Sequence, residues 1–298
     1  MKCERKGRHF SWSFILDASR YFLVILISLL YSSLILAETC EQHEKCRQEF
    51  KLDNNFLTYY TTHKINLSQT QIKRLVIVVH GALRNGHEYF DDTVAAAKKL
   101  NVLTNTMVLA PTFRKVTDER KAAELYWGRK WYAKWKYGYL SEDSTHISSF
   151  EVIDKLIRKI SKSKNFPNLK TIVITGHSAG GQFTQRYGVA SKISEEINQQ
   201  VIIVPSNPSS YMYLDEARYH FTEGNFTISN NPQNCPDFND YIYGPNNRAK
   251  YMESMDVEEL RENFKNQKMI YLMSEQDKGL DSLDRSCEAM TQGKNRFE

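Results

Sequence analysis

The stretch LKTIVITGHSAGGQF, residues 169–183, decides the fold. Its first half is an apolar, β-branched run of the kind that is buried on both faces of a sheet. Its second half reads as the start of a helix. Between them, Gly176-His177-Ser178-Ala179-Gly180 must turn a strand into a helix within a few residues. So sharp a turn brings its flanks together, and glycine stands on both sides. The serine is then forced outward at the carboxyl edge of the sheet, on the N-terminus of the helix. There the amide of Ala179, helped by the helix dipole, can hold an anionic oxygen. Ser178 is therefore a candidate nucleophile.

The same alternation runs through the chain. Residues 56–67, 74–81, 106–111, 169–175, 200–206 and 268–274 read as strands, and residues 86–101, 147–164, 180–192 and 257–267 as helices. In the second helix Phe150, Ile153, Ile157 and Ile160 share one face, and Ser148 with Glu151 forms a capping-box signature. Apolar strands alternating with helices predict a three-layer α/β/α sandwich with a mostly parallel sheet, built as one domain over residues 56–298. Residues 38–55 read as a polar linker, and residues 209–255 as an irregular excursion over one end of the sheet. Trp127, Trp131 and Trp135 recur at helical spacing. They are either a buried tryptophan face with lysines outside or an aromatic cap over the site.

A second strand end supports the first. In VVHGALRNGHEYF a buried strand closes on His80-Gly81 and sets the amide of Ala82 at the same edge of the sheet. Two backbone donors from separate loops make an oxyanion hole. His80 closes a buried strand, which suits a ring that orients its loop by hydrogen bonding. His177 lies inside the elbow and points away from the proton of Ser178.

HGALRN at 80–85, GHSAGGQ at 176–182 and YLMSEQD at 271–277, in this order, resemble the α/β-hydrolase superfamily, most nearly its exported microbial esterase-like members. The resemblance covers residues 56–298 and is specific to the superfamily, not to a substrate. It implies a nucleophile after the fifth strand, an acid after the seventh and a histidine after the eighth. Carried over, the nucleophile is Ser178, and the acid is Asp277, the first aspartate after its strand. Asp281 and Asp284 are its competitors. The only histidine after Ser178 is His220, which precedes the seventh strand. The expectation is that this chain lacks the last strand and the histidine loop, with His220 as an unusual base the alternative.

Charge adds little. Lys2, Arg5, Lys6, Arg8 and Arg20 against Glu4 and Asp17 hold +3 of the net +5 in the first twenty residues, which leaves no reason to invoke nucleic acid. No P-loop, GxGxxG turn or zinc-type Cys/His spacing is present, so neither metal nor organic cofactor is implied. The uncharged run at residues 21–37 follows basic residues and reads as an export signal. Its 17 residues exceed a cleaved signal core (about 7–15) and fall short of a comfortable spanning helix (about 20), so residues 1–37 are either a signal peptide or a membrane anchor. Cys40, Cys46, Cys235 and Cys287 make an even number beyond it, as an oxidising compartment favours. Cys40 and Cys46 are close enough for a local loop, which leaves Cys235–Cys287 as a long-range crosslink.

These readings point to an exported or membrane-tethered serine hydrolase acting on a small-molecule or acyl-ester substrate. A catalytically inactive exported binding protein on the same fold is the alternative.

Overall fold

In the computed structural model, which describes residues 39–129, 133–222, 225–229, 234–279 and 283–293, the middle of the sheet is parallel. Strand β3 (Arg74–Val79) lies between β4 (Thr106–Pro111) and β5 (Thr171–His177), and β6 (Gln200–Ser206) continues beyond β5. Two antiparallel strands, β1 (Arg47–Leu52) and β2 (Asn55–Thr61), extend the β4 side, giving the order β1-β2-β4-β3-β5-β6. Helices α1 (Gly86–Lys99), α2 (Ser149–Ser161), α3 (Ala179–Ala190) and α4 (Val257–Asn266) supply the outer layers.

Alternation along the strands sorts the core. Leu75, Ile77, Met107, Leu109, Ile172, Ile174, Val201 and Ile203 pack with α2, α3 and α4. Val78, Val108 and Ala110 point the other way and meet Phe90, Val94 and Ala97 of α1. The α1 layer covers only the β3–β4 half of its face. On the β5–β6 half Val173, Ile202 and Val204 are only half-buried.

That open face continues to the sheet edge. Residues 268–272 run parallel to β6, with Ile203 donating to Lys268, Ile270 to Ile203, Leu272 to Pro205 and Asn207 to Leu272. Two isolated bridges, Ile203 to Met269 and Ser206 to Leu272, replace the continuous strand expected there. The reason is Pro205, which has no N–H to donate between them. Ile270 and Leu272 are 44% and 50% exposed.

Four expectations need correction. Residues 39–55 are not a linker: Cys40–Cys46 closes a helical turn, and β1 follows with Phe50 and Leu52 buried on alternate positions. The strand at 56–67 ends at Thr61. Ser148 caps α2 by accepting from the Phe150 amide, whereas the Glu151 carboxylate turns to Arg158. Trp127 and Trp135 are fully buried but share no helix: Trp127 sits on an extended segment, and Trp135 on a 3₁₀ turn stacked on Phe113. Trp131 lies outside the described residues.

The excursion at 209–255 carries a β-hairpin, β7 (Arg218–Thr222) with β8 (Asn225–Ser229). It is fastened to α3 through buried Arg186, which donates to the Ile242 and Ser210 carbonyls, and to the edge by a Cys235–Cys287 disulfide. Both expected disulfides are present. Among the described residues no helix is long and apolar enough to cross a membrane, and residues 21–37 lie outside that set.

Burial of two histidines makes acid stability a direct test of the core. His63 and His80 are each pushed down to about 4 by burial, with the Gly81 carbonyl opposing the shift at His80. The native rings are neutral where unfolded rings, titrating near 6.5, take up protons. Their contribution is therefore fully present above pH 6.5 and is lost as pH falls from there towards 4, by up to roughly 3 kcal/mol per ring. Urea unfolding at pH 7, 5.5 and 4.5 should show this slope, and His63→Gln should flatten it. Equal stability at the three pH values would contradict it.

Candidate active site

Steric necessity builds the elbow. A Cβ at Gly176 would stand 2.6 Å from the Gly180 backbone, and one at Gly180 would stand 2.2 Å from the Val79 carbonyl oxygen and 2.7 Å from that of His80. The turn from β5 into α3 is thus wedged against the end of β3, and only glycine fits at its two contact points. Ser178 itself takes φ 58 and ψ −114, a left-handed conformation that costs a serine roughly 1–3 kcal/mol. Its amide donates to the Ser206 carbonyl at the end of β6 (3.0 Å), and its side chain is part-exposed.

Ala179 is the first residue of α3, so its N–H precedes the helical hydrogen bonds, the first of which runs from Gln182 to the Ser178 carbonyl. Ala82 lies just beyond β3, the strand beside β5, and is exposed. The loop from β3 into α1, which carries Ala82, is pinned by a residue whose role was not legible in sequence. Arg84 bonds the Ala82 carbonyl and forks onto Asp118 at 2.6 and 2.9 Å.

His80 is committed elsewhere. The Phe113 amide donates to its Nε2 (2.9 Å), so Nδ1 carries the proton and donates to the Gly81 carbonyl (2.9 Å). Burial keeps the ring neutral and both nitrogens are occupied, so His80 holds the loop. Three other histidines have partners of their own: His43 meets Asp91, His63 meets Thr62 and His87 lies 3.7 Å from Glu88. His177 is exposed at the last position of β5, where alternation sends it opposite to its neighbour. His220 lies on the hairpin opposite Thr227.

Asp277 is brought to the end of β6, one strand from Ser178, by Asn207. The Asn207 amide group donates to Asp277 Oδ2 (3.0 Å), its Oδ1 accepts from the Ser274 amide (3.0 Å), and its own N–H donates to the Leu272 carbonyl. Asn207 adopts φ 41 and is followed by proline, the one local signal that could have drawn attention to it. Asp284 stands apart. Burial raises its carboxyl, but the Tyr243 hydroxyl at 2.5 Å and the Ser286 amide outweigh that and hold it below the usual range. Asp281 lies outside the described residues.

A cavity of about 480 Å³ opens beside the edge segment, walled by Tyr211, Tyr213, Leu214, Phe264 and Tyr271. Neither Ser178 nor Asp277 lines it. It is a property of the uncovered edge, not of the elbow.

Solved structures share this architecture. A poly(aspartic acid) hydrolase from Sphingomonas sp. KT-1 matches at TM-score 0.56 and 21% identity over 84% of this chain and 79% of its own. A poly(3-hydroxybutyrate) depolymerase from Bordetella parapertussis matches at TM-score 0.54 and 19% identity over 89% of this chain and 79% of its own. No family model and no curated protein matches. The chain has the α/β-hydrolase fold, as the order of its motifs implied.

Proposed function

We propose that this protein is an exported serine hydrolase that cleaves carboxylic esters. The observation that carries the reading is the strained, part-exposed Ser178 in a glycine-walled elbow at the N-terminus of α3. In this reading Ser178 attacks the ester carbonyl and the amides of Ala82 and Ala179 receive the developing oxyanion. Asp277, held by Asn207, orients an imidazole that takes the serine proton and returns it to the leaving alcohol.

The imidazole this pair needs is not that of His80, whose two ring nitrogens are both occupied. The half-covered Val173, Ile202 and Val204, continuous with exposed Ile270 and Leu272, support a further strand and helix packing there and bringing the base. Two disulfides support an oxidising compartment outside the cytoplasm, with residues 21–37 as signal or tether. The substrate is a small-molecule or polymer ester.

A fluorophosphonate probe tests the reading. Ser178 should be labelled, faster with free imidazole present, and Ser178→Ala should not be labelled under either condition. A chain that stays unlabelled at saturating imidazole would favour the inactive binding protein.

The anchor of the acid has its own test. Asn207→Ala should cost about 1–3 kcal/mol in urea unfolding, since it removes two part-buried hydrogen bonds worth about 0.5–1.5 kcal/mol each. It should also lower imidazole-assisted turnover about tenfold by releasing Asp277. Unchanged turnover would remove Asp277 from the mechanism.

A further inference from the structure

We infer that Arg84, locked to Asp118, is a positioning residue that aims the Ala82 N–H at the developing oxyanion; the inference rests on the serine hydrolase reading above. The tip of the loop from β3 into α1 cannot be held by packing. Ala82 and Leu83 are both exposed, Leu83 to 80%. A backbone donor serves an oxyanion hole only when it already points there before the charge develops. Its direction must therefore be set by hydrogen bonds.

Two peptide groups flank Ala82, and both are tied down. The first carries the Ala82 N–H. Its carbonyl, that of Gly81, accepts from His80 Nδ1 (2.9 Å) and from the Arg84 backbone N–H (3.1 Å). In a planar trans peptide the N–H points opposite to the C=O, so fixing one fixes the other. The second peptide presents the Ala82 carbonyl, which accepts from the Arg84 guanidinium. Arg84 thus serves both groups, one through its main chain and one through its side chain. It does so at φ 60, a conformation uncommon for a long side chain, which its partners hold in place.

The rest of the guanidinium is anchored. Its fork onto Asp118 is a planar two-point contact between side chains only 18% and 12% exposed. Asp118 Oδ2 also accepts from the Lys115 amide (2.8 Å). Burial raises the Asp118 carboxyl, but the Arg84 fork and the Lys115 amide outweigh that and hold it below the usual range. The same segment beyond β4 supplies Phe113, whose amide holds His80. Residues 113–118 therefore fasten the oxyanion loop at two points, through His80 and through Arg84. A lysine has a single ammonium and cannot fork onto Asp118 while reaching the Ala82 carbonyl.

Steady-state hydrolysis of a p-nitrophenyl ester by the full chain at saturating imidazole, corrected with Ser178→Ala, tests this role. Arg84→Lys should lower kcat at least about tenfold and leave KM within about twofold, because the hole acts on the transition state and not on the bound ester. Outright loss of an oxyanion donor costs about 10²–10³ in kcat, which bounds the effect. Asp118→Asn, an isosteric change, should show the same split and decides the matter if Arg84→Lys does not fold. A merely structural role would lower the urea midpoint and leave kcat of the folded chain at the parent value. That result, or a raised KM at unchanged kcat, would overturn the inference while Ser178-dependent turnover in the parent keeps the hydrolase reading standing. A parent without Ser178-dependent turnover would remove that reading, and this inference with it.

Discussion

Ester hydrolysis by the 298-residue chain should be slow and should rise at least about tenfold on adding free imidazole, with the rise absent from Ser178→Ala. A serine hydroxyl ionises far above neutrality, so its attack needs a base in place. The described histidines with assigned partners are held elsewhere, His80 most firmly, through the Phe113 amide and the Gly81 carbonyl. A positioned general base contributes about 10²–10⁴ in rate, and a diffusible one recovers part of that. The oxyanion hole and binding by themselves leave about 10³–10⁴-fold over water, so weak basal turnover agrees with the proposal. Free imidazole also hydrolyses activated esters unaided, and the difference from Ser178→Ala is the quantity to measure. Full activity without imidazole, abolished by His220→Ala, would make His220 the base and would remove the need for a further strand.

Gly180→Ala should unfold or strongly destabilise the domain, by at least about 3 kcal/mol in urea unfolding. The added methyl would sit 2.2 Å from the Val79 carbonyl oxygen and 2.7 Å from that of His80, and both obstacles are backbone. Neither can rotate away, so α3 must back off β3 and the elbow opens. Ser178→Gly provides the contrast. It removes a β-carbon from a φ of 58 and should raise stability slightly, although labelling is lost. A Gly180→Ala chain within about 1 kcal/mol of the parent would mean that the turn relaxes, and the steric account of the elbow would be wrong.

How much was legible in advance follows from the range of the forces involved. The strands at 74–79, 106–111 and 200–206 and the turn at 176–180 are local statements. Continuous apolar runs mark inner strands, with β4 buried on both faces and β6 half-covered on one, and a tight strand-to-helix turn admits only glycine at its contacts. The Cys40–Cys46 and Cys235–Cys287 pairs followed from parity and proximity along the chain. The antiparallel strand β1 was hidden, because its polar residues face solvent at an edge and only Phe50 and Leu52 mark the buried side. The tryptophan spacing misled for the converse reason: burial, not helical periodicity, put Trp127 and Trp135 inside.

What the sequence by itself determined is the kind of sheet, the position of the elbow serine and the order in which candidate groups arrive at the sheet edge. What only the tertiary structure decided is which distant groups meet. Asn207 and Asp277 are joined because residues 268–272 pair with β6, and that pairing sets Asp277 one strand from Ser178. His43 and His87 face each other because a disulfide loop folds back over α1. The physical reason is the same in both cases. Backbone preferences act over a few residues and are written in local patterns, whereas a contact between far-apart side chains depends on strand pairing and helix packing.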